Sequence, residues 1–248
     1  MEKKIVTLLA GKDPDHLHNT LSLAGFRRSQ DLAYRPACDN CSACVPIRVA
    51  AQHFSLKKSF RRILTKNHDI QTREMPAEAT VEHYELFHRY LKSRHSDGGM
   101  SDMVYSDYQA MVEDSPVRTQ LTEFRGAENK LLAVCLTDRM DDGLSLVYSF
   151  FEPDMDKRSL GTFLVLWHIQ QAQRMGLPHV YLGYWIAESP KMSYKTRFQP
   201  AEILTKEGWE ALQDDPEASG WQQDDRGPDP GHEAVKHPQP EGDPFRDG

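Results

Sequence analysis

The sequence predicts an α+β fold: a mixed, mainly antiparallel sheet flanked by helices, behind a cysteine-containing N-terminal portion. Three observations support this. Residues 119–184 read as three successive strands, a helix and a further strand. The helix in that series is apolar almost throughout and ends at Gly176 and Pro178, both helix-stop signals. Three of the four cysteines, Cys38, Cys41 and Cys44, lie within seven residues of one another.

Taken in order, Ile5-Val-Thr-Leu-Leu-Ala10 follows Lys3 and Lys4. It lacks a small-residue cleavage site and runs into Lys12, Asp13 and Asp15, so it reads as a first strand or mixed segment of the folded body. No apolar run approaches the ~20 residues that span a bilayer, and a cytoplasmic protein is expected. Val45–Val49 reads as a short strand. Ser55–Asn67 is helical in pattern, with Leu56, Phe60, Ile63 and Leu64 on one face, the basic residues mostly on the other, and Ser55 as N-cap. Ile70–Arg73 is another short strand, Thr80–Ser93 a helix, and Arg94–Met100 a loop with paired glycines. Tyr105–Val112 is a short helix. Thr119–Phe124 and Lys130–Asp138 form an antiparallel pair, Gly143 opens the strand Leu144–Phe151, and Phe163–Met175 is the apolar helix. His179–Tyr184 closes the series.

The formal charge of -7 is unevenly placed. Residues 213–248 hold ten acidic and three basic residues with six Pro and five Gly, a composition that cannot bury enough apolar surface to offset its ordering entropy. A disordered acidic tail is expected there, behind a cysteine-motif and basic portion at 1–75 and a second portion at 76–212. The remaining body is neutral, with 27 residues of each sign. Residues 47–74 nevertheless carry seven cations against Asp69 and Glu74. Such a run reads either as a solvated helix surface or as phosphate contact.

Two successive C-x2-C spacings at Cys38, Cys41 and Cys44 suit thiolate ligation of zinc or an iron–sulfur cluster. The fourth ligand is undefined, because position 48, where a ferredoxin-type run would place it, is Arg48. A cluster of reduced thiols in a turn is the competing reading. Cys135, in the run Leu131–Leu136, reads as core.

Two antiparallel strands, then a third ending in Arg158-Ser-Leu-Gly161, then a helix and a strand, is the order of the GNAT acyltransferase core, where the turn and helix N-terminus hold a cofactor phosphate. The usual Gly-x-Gly/Ala ending is replaced by Gly161-Thr162-Phe163. More broadly, the chain closely resembles the arginyl-tRNA–protein transferase family, in particular its bacterial aspartate/glutamate leucyltransferase branch. The resemblance spans about residues 20–208 and rests on Tyr34–Arg48, Ser59–Asn67, Tyr90–Met100, Leu144–Gly161, Tyr181–Ile186 and Lys191–Pro200.

That resemblance implies a GNAT-like C-terminal portion. It also implies transfer of leucine from leucyl-tRNA to proteins beginning with Asp or Glu, marking them for N-degron proteolysis, with no cofactor required by the reaction itself. The tRNA is assigned to Arg61, Arg62 and Lys66, with Arg158, Gly161 and Thr162 holding a phosphate of its end. The acidic acceptor is assigned to Lys191, Lys195 and Arg197, just beyond the last strand. Tyr184, Tyr194, His95 and Asp97 are the acid–base candidates, the tyrosines also being suited to packing or to stacking on the terminal adenosine. The rival readings are a GNAT enzyme using acetyl-CoA and a non-enzymatic, metal-containing RNA-binding module.

Overall fold

The computed structural model describes residues 3–94 and 103–213. The strands are β1 (Lys4–Leu8), β2 (Arg27–Ser29), β3 (Leu32–Pro36), β4 (Val45–Ala50), β5 (Gln71–Pro76), β6 (Thr119–Arg125), β7 (Leu131–Arg139), β8 (Gly143–Phe151), β9 (His179–Trp185), β10 (Ala201–Leu204) and β11 (Trp209–Ala211). The α-helices are α1 (Pro14–Leu23), α2 (Lys58–Lys66), α3 (Val81–Arg94), α4 (Tyr105–Glu113) and α5 (Leu160–Arg174).

Eight strands form one sheet in the order β11-β10-β4-β9-β8-β7-β6-β5, and β1-β3-β2 form a second, smaller sheet. Every strand pair among the described residues is antiparallel except β8–β9. The expected mixed, mainly antiparallel sheet is therefore present. Strands β4 and β5 both belong to the large sheet, so the division expected between residues 75 and 76 falls inside β5 and runs through that sheet.

Side-chain alternation separates the two faces of the large sheet. On one face, Thr137 reaches His168 of α5, and Phe124 meets Phe163 and Trp167 edge-on. On the other face, Phe87 of α3 packs on Tyr148 and Phe150, while Asp138 bonds Arg28 and His18 of the β2/α1 unit. The result is three layers, with α2 and α5 below the sheet and α1, the small sheet, α3 and α4 above it. Leu164, Leu166 and Ile169 of α5 are fully buried, each contributing about 1.5–3 kcal/mol by leaving water. Gly176, at φ +68, ends the helix by adopting the left-handed conformation that Gly tolerates.

Two boundaries differ from the sequence expectation. Ser55 is not the N-cap of α2, which starts at Lys58 with Lys57 in the cap position and no side-chain cap. Phe54 is buried and stacks on Phe60, and Leu56 packs on the core; these anchors hold the preceding segment extended. The apolar helix begins three residues before Phe163, so Gly161 and Thr162 lie in its first turn rather than in a loop. The elements α1, β2, β3, β10 and β11 were not anticipated. Cys135 is core, as expected, and burial pushes its thiol up from the ordinary range.

Candidate active site

Strands β8 and β9 pair in parallel only at Gly143–His179, Leu144–Val180 and Ser145–Tyr181. Both continue, to Phe151 and Trp185, without further mutual pairing. They therefore diverge, and the sheet opens as a wedge towards their C-terminal ends. Backbone groups along a split edge need other partners, which makes the wedge a natural place for ligands and inserted side chains.

Arg27 of β2 enters at its vertex. Its Nη2 donates to the carbonyl of Val147 at 3.0 Å and lies 3.4 Å from that of Leu146, the first β8 residues beyond the paired segment. Across the gap, the guanidinium lies over Gly183: a Cβ there would come within 2.5 Å of Cζ. Gly183 also has φ +78, which disfavours any side chain. A register shift in the β4–β9 ladder falls opposite it, between Pro46 and Arg48.

The rim is built by three further segments. Connection 152–159 leads from β8 to the N-terminus of α5, whose first N–H groups have no earlier helical acceptors and carry the positive end of the helix dipole. Ser159 caps this end in the left-handed conformation, at φ 51, without a side-chain cap bond. A 3-10 turn at Ser193–Arg197 lies beyond the β9 end. Helix α2 joins the two. Its Phe60 stacks on Phe198 at 5.3 Å, while Asn67 and Lys66 donate to the carbonyls of Arg158 and Lys157.

The assigned tRNA contacts thus fall on one side of the molecule. Arg61, Arg62 and Lys66 are exposed on α2, next to the α5 N-terminus. Arg158 is ion-paired to Asp69, whose carboxyl that bond holds below the usual range. Gly161 and Thr162 are both buried in the first turn of α5. Phe163 stands where the GNAT signature has a small residue and packs edge-on against Phe124.

The proposed acceptor cations differ in exposure. Lys191 is exposed. Arg197 is half-buried with its guanidinium 6.0 Å from the Phe60 ring. Lys195 is buried, its Nζ donating to the Tyr184 carbonyl at the end of β9. Tyr184 is buried as well, with its hydroxyl 2.9 Å from the Gly25 carbonyl and 3.0 Å from that of Tyr34. Burial pushes that hydroxyl's pKa up, which leaves it a structural donor rather than a base. Tyr194 is half-buried and meets Phe198 edge-on. His95 and Asp97 lie outside the described residues.

The three N-terminal cysteines are not assembled as a ligand set. Cys41 is exposed, Cys38 bonds the Lys3 backbone, and no group of three or more His, Cys, Asp or Glu is placed to hold a metal among the described residues. The zinc or iron–sulfur reading of the spacing rests on the sequence alone.

The opposite end of the β8–β9 pair is sealed. Arg48 donates from Nε to Glu202 at 2.7 Å and from Nη1 to the Tyr181 hydroxyl at 2.9 Å, and its guanidinium stacks 4.2 Å from the Trp209 ring. Tyr181 in turn donates to Asp142, which also faces His179. Burial raises the Asp142 carboxyl, but the bonds from His179 and Tyr181 outweigh it and hold it below the usual range. Neither this network nor Arg27 was found from the sequence. The Gly25-Phe26-Arg27-Arg28 run was the available signal, and it stayed unread because β2 was not recognised as a strand.

Comparison with known proteins follows the same outline. Residues 1–62 match the family described as "Arginine-tRNA-protein transferase, N terminus", and residues 82–205 the corresponding "C terminus". The aspartate/glutamate leucyltransferase of Paramagnetospirillum magneticum is 55% identical over 209 residues, 84% of this chain and 86% of that protein. Its counterpart from Parvibaculum lavamentivorans is 55% identical over 210 residues, 85% and 87% of the two chains. Among solved structures, L-PGS from Bacillus licheniformis superposes with a TM-score of 0.50 at 11% identity, covering 68% of this chain and 58% of that one; this likeness concerns the fold alone. No helix among the described residues is long and apolar enough to cross a membrane. The chain belongs to the arginine-tRNA–protein transferase family, in its aspartate/glutamate leucyltransferase branch.

Proposed function

We propose that this protein transfers leucine from leucyl-tRNA onto the N-terminal Asp or Glu of acceptor proteins, tagging them for degradation. The observation that carries the reading is 55% identity to aspartate/glutamate leucyltransferases across 84% or more of each chain. The use of a charged tRNA places the work in the cytoplasm.

The chemistry is modest. An α-amine with a pKa of about 7.7–8.0 is already neutral in a useful fraction at cellular pH. Its nitrogen attacks the leucyl ester carbonyl, the new C–N bond replaces the C–O bond to the tRNA ribose, and the proton lost by nitrogen ends on the ribose oxygen. An activated ester and an amine contain all the reaction needs, so no cofactor enters the scheme. Positioning can supply much of the rate.

Within this reading, Arg61, Arg62 and Lys66 hold the tRNA acceptor stem. The N–H groups of the first turn of α5, at Gly161 and Thr162, take a phosphate near its 3′ end, with Arg158 beside them. Tyr194 offers its ring to the terminal adenosine. Lys191 and Arg197 draw acidic N-termini towards the wedge by their field, while Lys195 fixes the Tyr184 carbonyl and so the end of β9. Proton handling is assigned to His95 and Asp97.

The test uses tRNA charged with radiolabelled leucine or arginine and peptides beginning with Asp, Glu, Lys or Ala. Label passing from leucine alone to the Asp and Glu peptides is the expected result. Transfer of arginine would change the donor, and release of free coenzyme A from acetyl-CoA with an amine acceptor would replace the reaction.

A further inference from the structure

Most buried or half-buried arginines here face carboxylates. Arg28 takes Asp138 with Nε and Nη2, both at 2.7 Å. Arg48 takes Glu202, Arg125 takes Glu123 and Glu82, and Arg158 takes Asp69. Such pairing is the ordinary way to offset the cost of removing a guanidinium from water. Arg27 departs from it. It is half-buried, yet among the described residues it forms no ion pair, and its hydrogen bonds run from Nη2 alone to two backbone carbonyls. Nε and Nη1 have no acceptor among the described residues. The position is also built: the absent side chain of Gly183 leaves the space in which the guanidinium lies, and the carbonyls fix its orientation.

We propose that Arg27 is the specificity residue for the acceptor, its guanidinium taking the side-chain carboxylate of the N-terminal Asp or Glu at the vertex of the β8–β9 wedge. This rests on the transferase reading above. A planar, always-charged fork held by one nitrogen and open at the others suits a carboxylate. Anchoring the side chain there places the acceptor's α-amine, a few bonds away, towards the wedge mouth, where the leucyl ester arrives from the α2 and α5 side. Asn and Gln acceptors match the acids in shape but not in charge, so they would leave the guanidinium without its counter-ion.

The test compares wild type, Arg27→Gln and Arg27→Lys with peptides beginning Asp, Glu, Asn and Gln. For Arg27→Gln the expected result is a fall of about 10- to 100-fold in kcat/KM for Asp and Glu peptides, the scale of a lost charge-assisted bond. Discrimination over Asn and Gln collapses in parallel, and the KM for leucyl-tRNA stays within about twofold. Arg27→Lys keeps the charge and loses the fork. It therefore raises the KM for acidic peptides more than it lowers kcat, and this decides the matter if the Gln variant does not fold. Unchanged acid preference in either folded variant, or a defect confined to leucyl-tRNA, overturns the assignment. Wild-type protein that uses no acidic acceptor overturns the transferase reading and this assignment with it; intact wild-type transfer with an unaltered Arg27 variant removes only the latter.

Discussion

The two ends of the β8–β9 pair are made differently. At the closed end the strands hydrogen-bond, and the charges around them are matched: Arg28 with Asp138, Arg48 with Glu202, and Asp142 between His179 and Tyr181. At the open end the strands part, and Arg27 stands on the carbonyls of Leu146 and Val147, with no carboxylate partner among the described residues. A fold can close a parallel pair with ion pairs when nothing has to enter. Where an acidic chain end must arrive, a guanidinium held by carbonyls rather than by a protein carboxylate, as Arg27 is among the described residues, suits a carboxylate ligand.

Damage to the closed end should therefore register as stability, and damage to the open end as activity. The largest expected effect is Asp138→Ala, which strands the buried Arg28 guanidinium and costs about 3–5 kcal/mol. Thermal unfolding would show it, while any protein that still folds should keep its Asp/Glu preference.

Acid should weaken the layer shared by both ends. His168 is fully buried, donates from Nδ1 to the Leu164 carbonyl at 2.8 Å, and lies 3.1 Å by Nε2 from the Thr137 hydroxyl. Burial pushes its pKa down to about 4. The neutral form is the one the fold favours, so this stabilisation is complete above about 6.5. It is lost as pH falls from there towards 4, by on the order of 3 kcal/mol. Chemical denaturation across that range should lose its acid limb in part in His168→Gln.

Gly183→Ala sharpens the contrast from the open side. A Cβ at φ +78 costs about 1–2 kcal/mol and displaces Arg27. Selectivity for acidic acceptors should drop at least about tenfold with only a small fall in Tm. Arg61→Ala with Arg62→Ala should leave unfolding within about 0.5 kcal/mol of wild type, yet weaken tRNA binding and flatten its salt dependence. The smallest effect belongs to the acidic C-terminal segment: deletion after Leu212 should leave transfer intact, as peptide assays would show.

Much of the central architecture was legible. The strands from β6 to β9 and helix α5 showed strong apolar periodicity, and the basic face of α2 stood out from its spacing. The small sheet did not. β2 has three residues and β3 five, too short for alternation to speak, and β10 and β11 depend on pairing with β4 and each other. Helix α1 carried a readable start, Asp13 followed by Pro14, with Asp13 accepting from the His16 N–H at 2.9 Å. The site was harder, because it is assembled from non-local contacts. Nothing local marks Lys195 or Tyr184 as buried, since the burial comes from β9 and the small sheet. Arg27 meets β8 across about 120 residues of sequence.

The central claim is that the open end receives the substrates and the closed end does not. Hydrogen exchange with a non-hydrolysable leucyl-adenosine, amide-linked in place of the ester, tests it directly. Added protection is expected in residues 146–151, 160–166 and 182–186. Protection confined to residues 139–143 and 202–211 would contradict it.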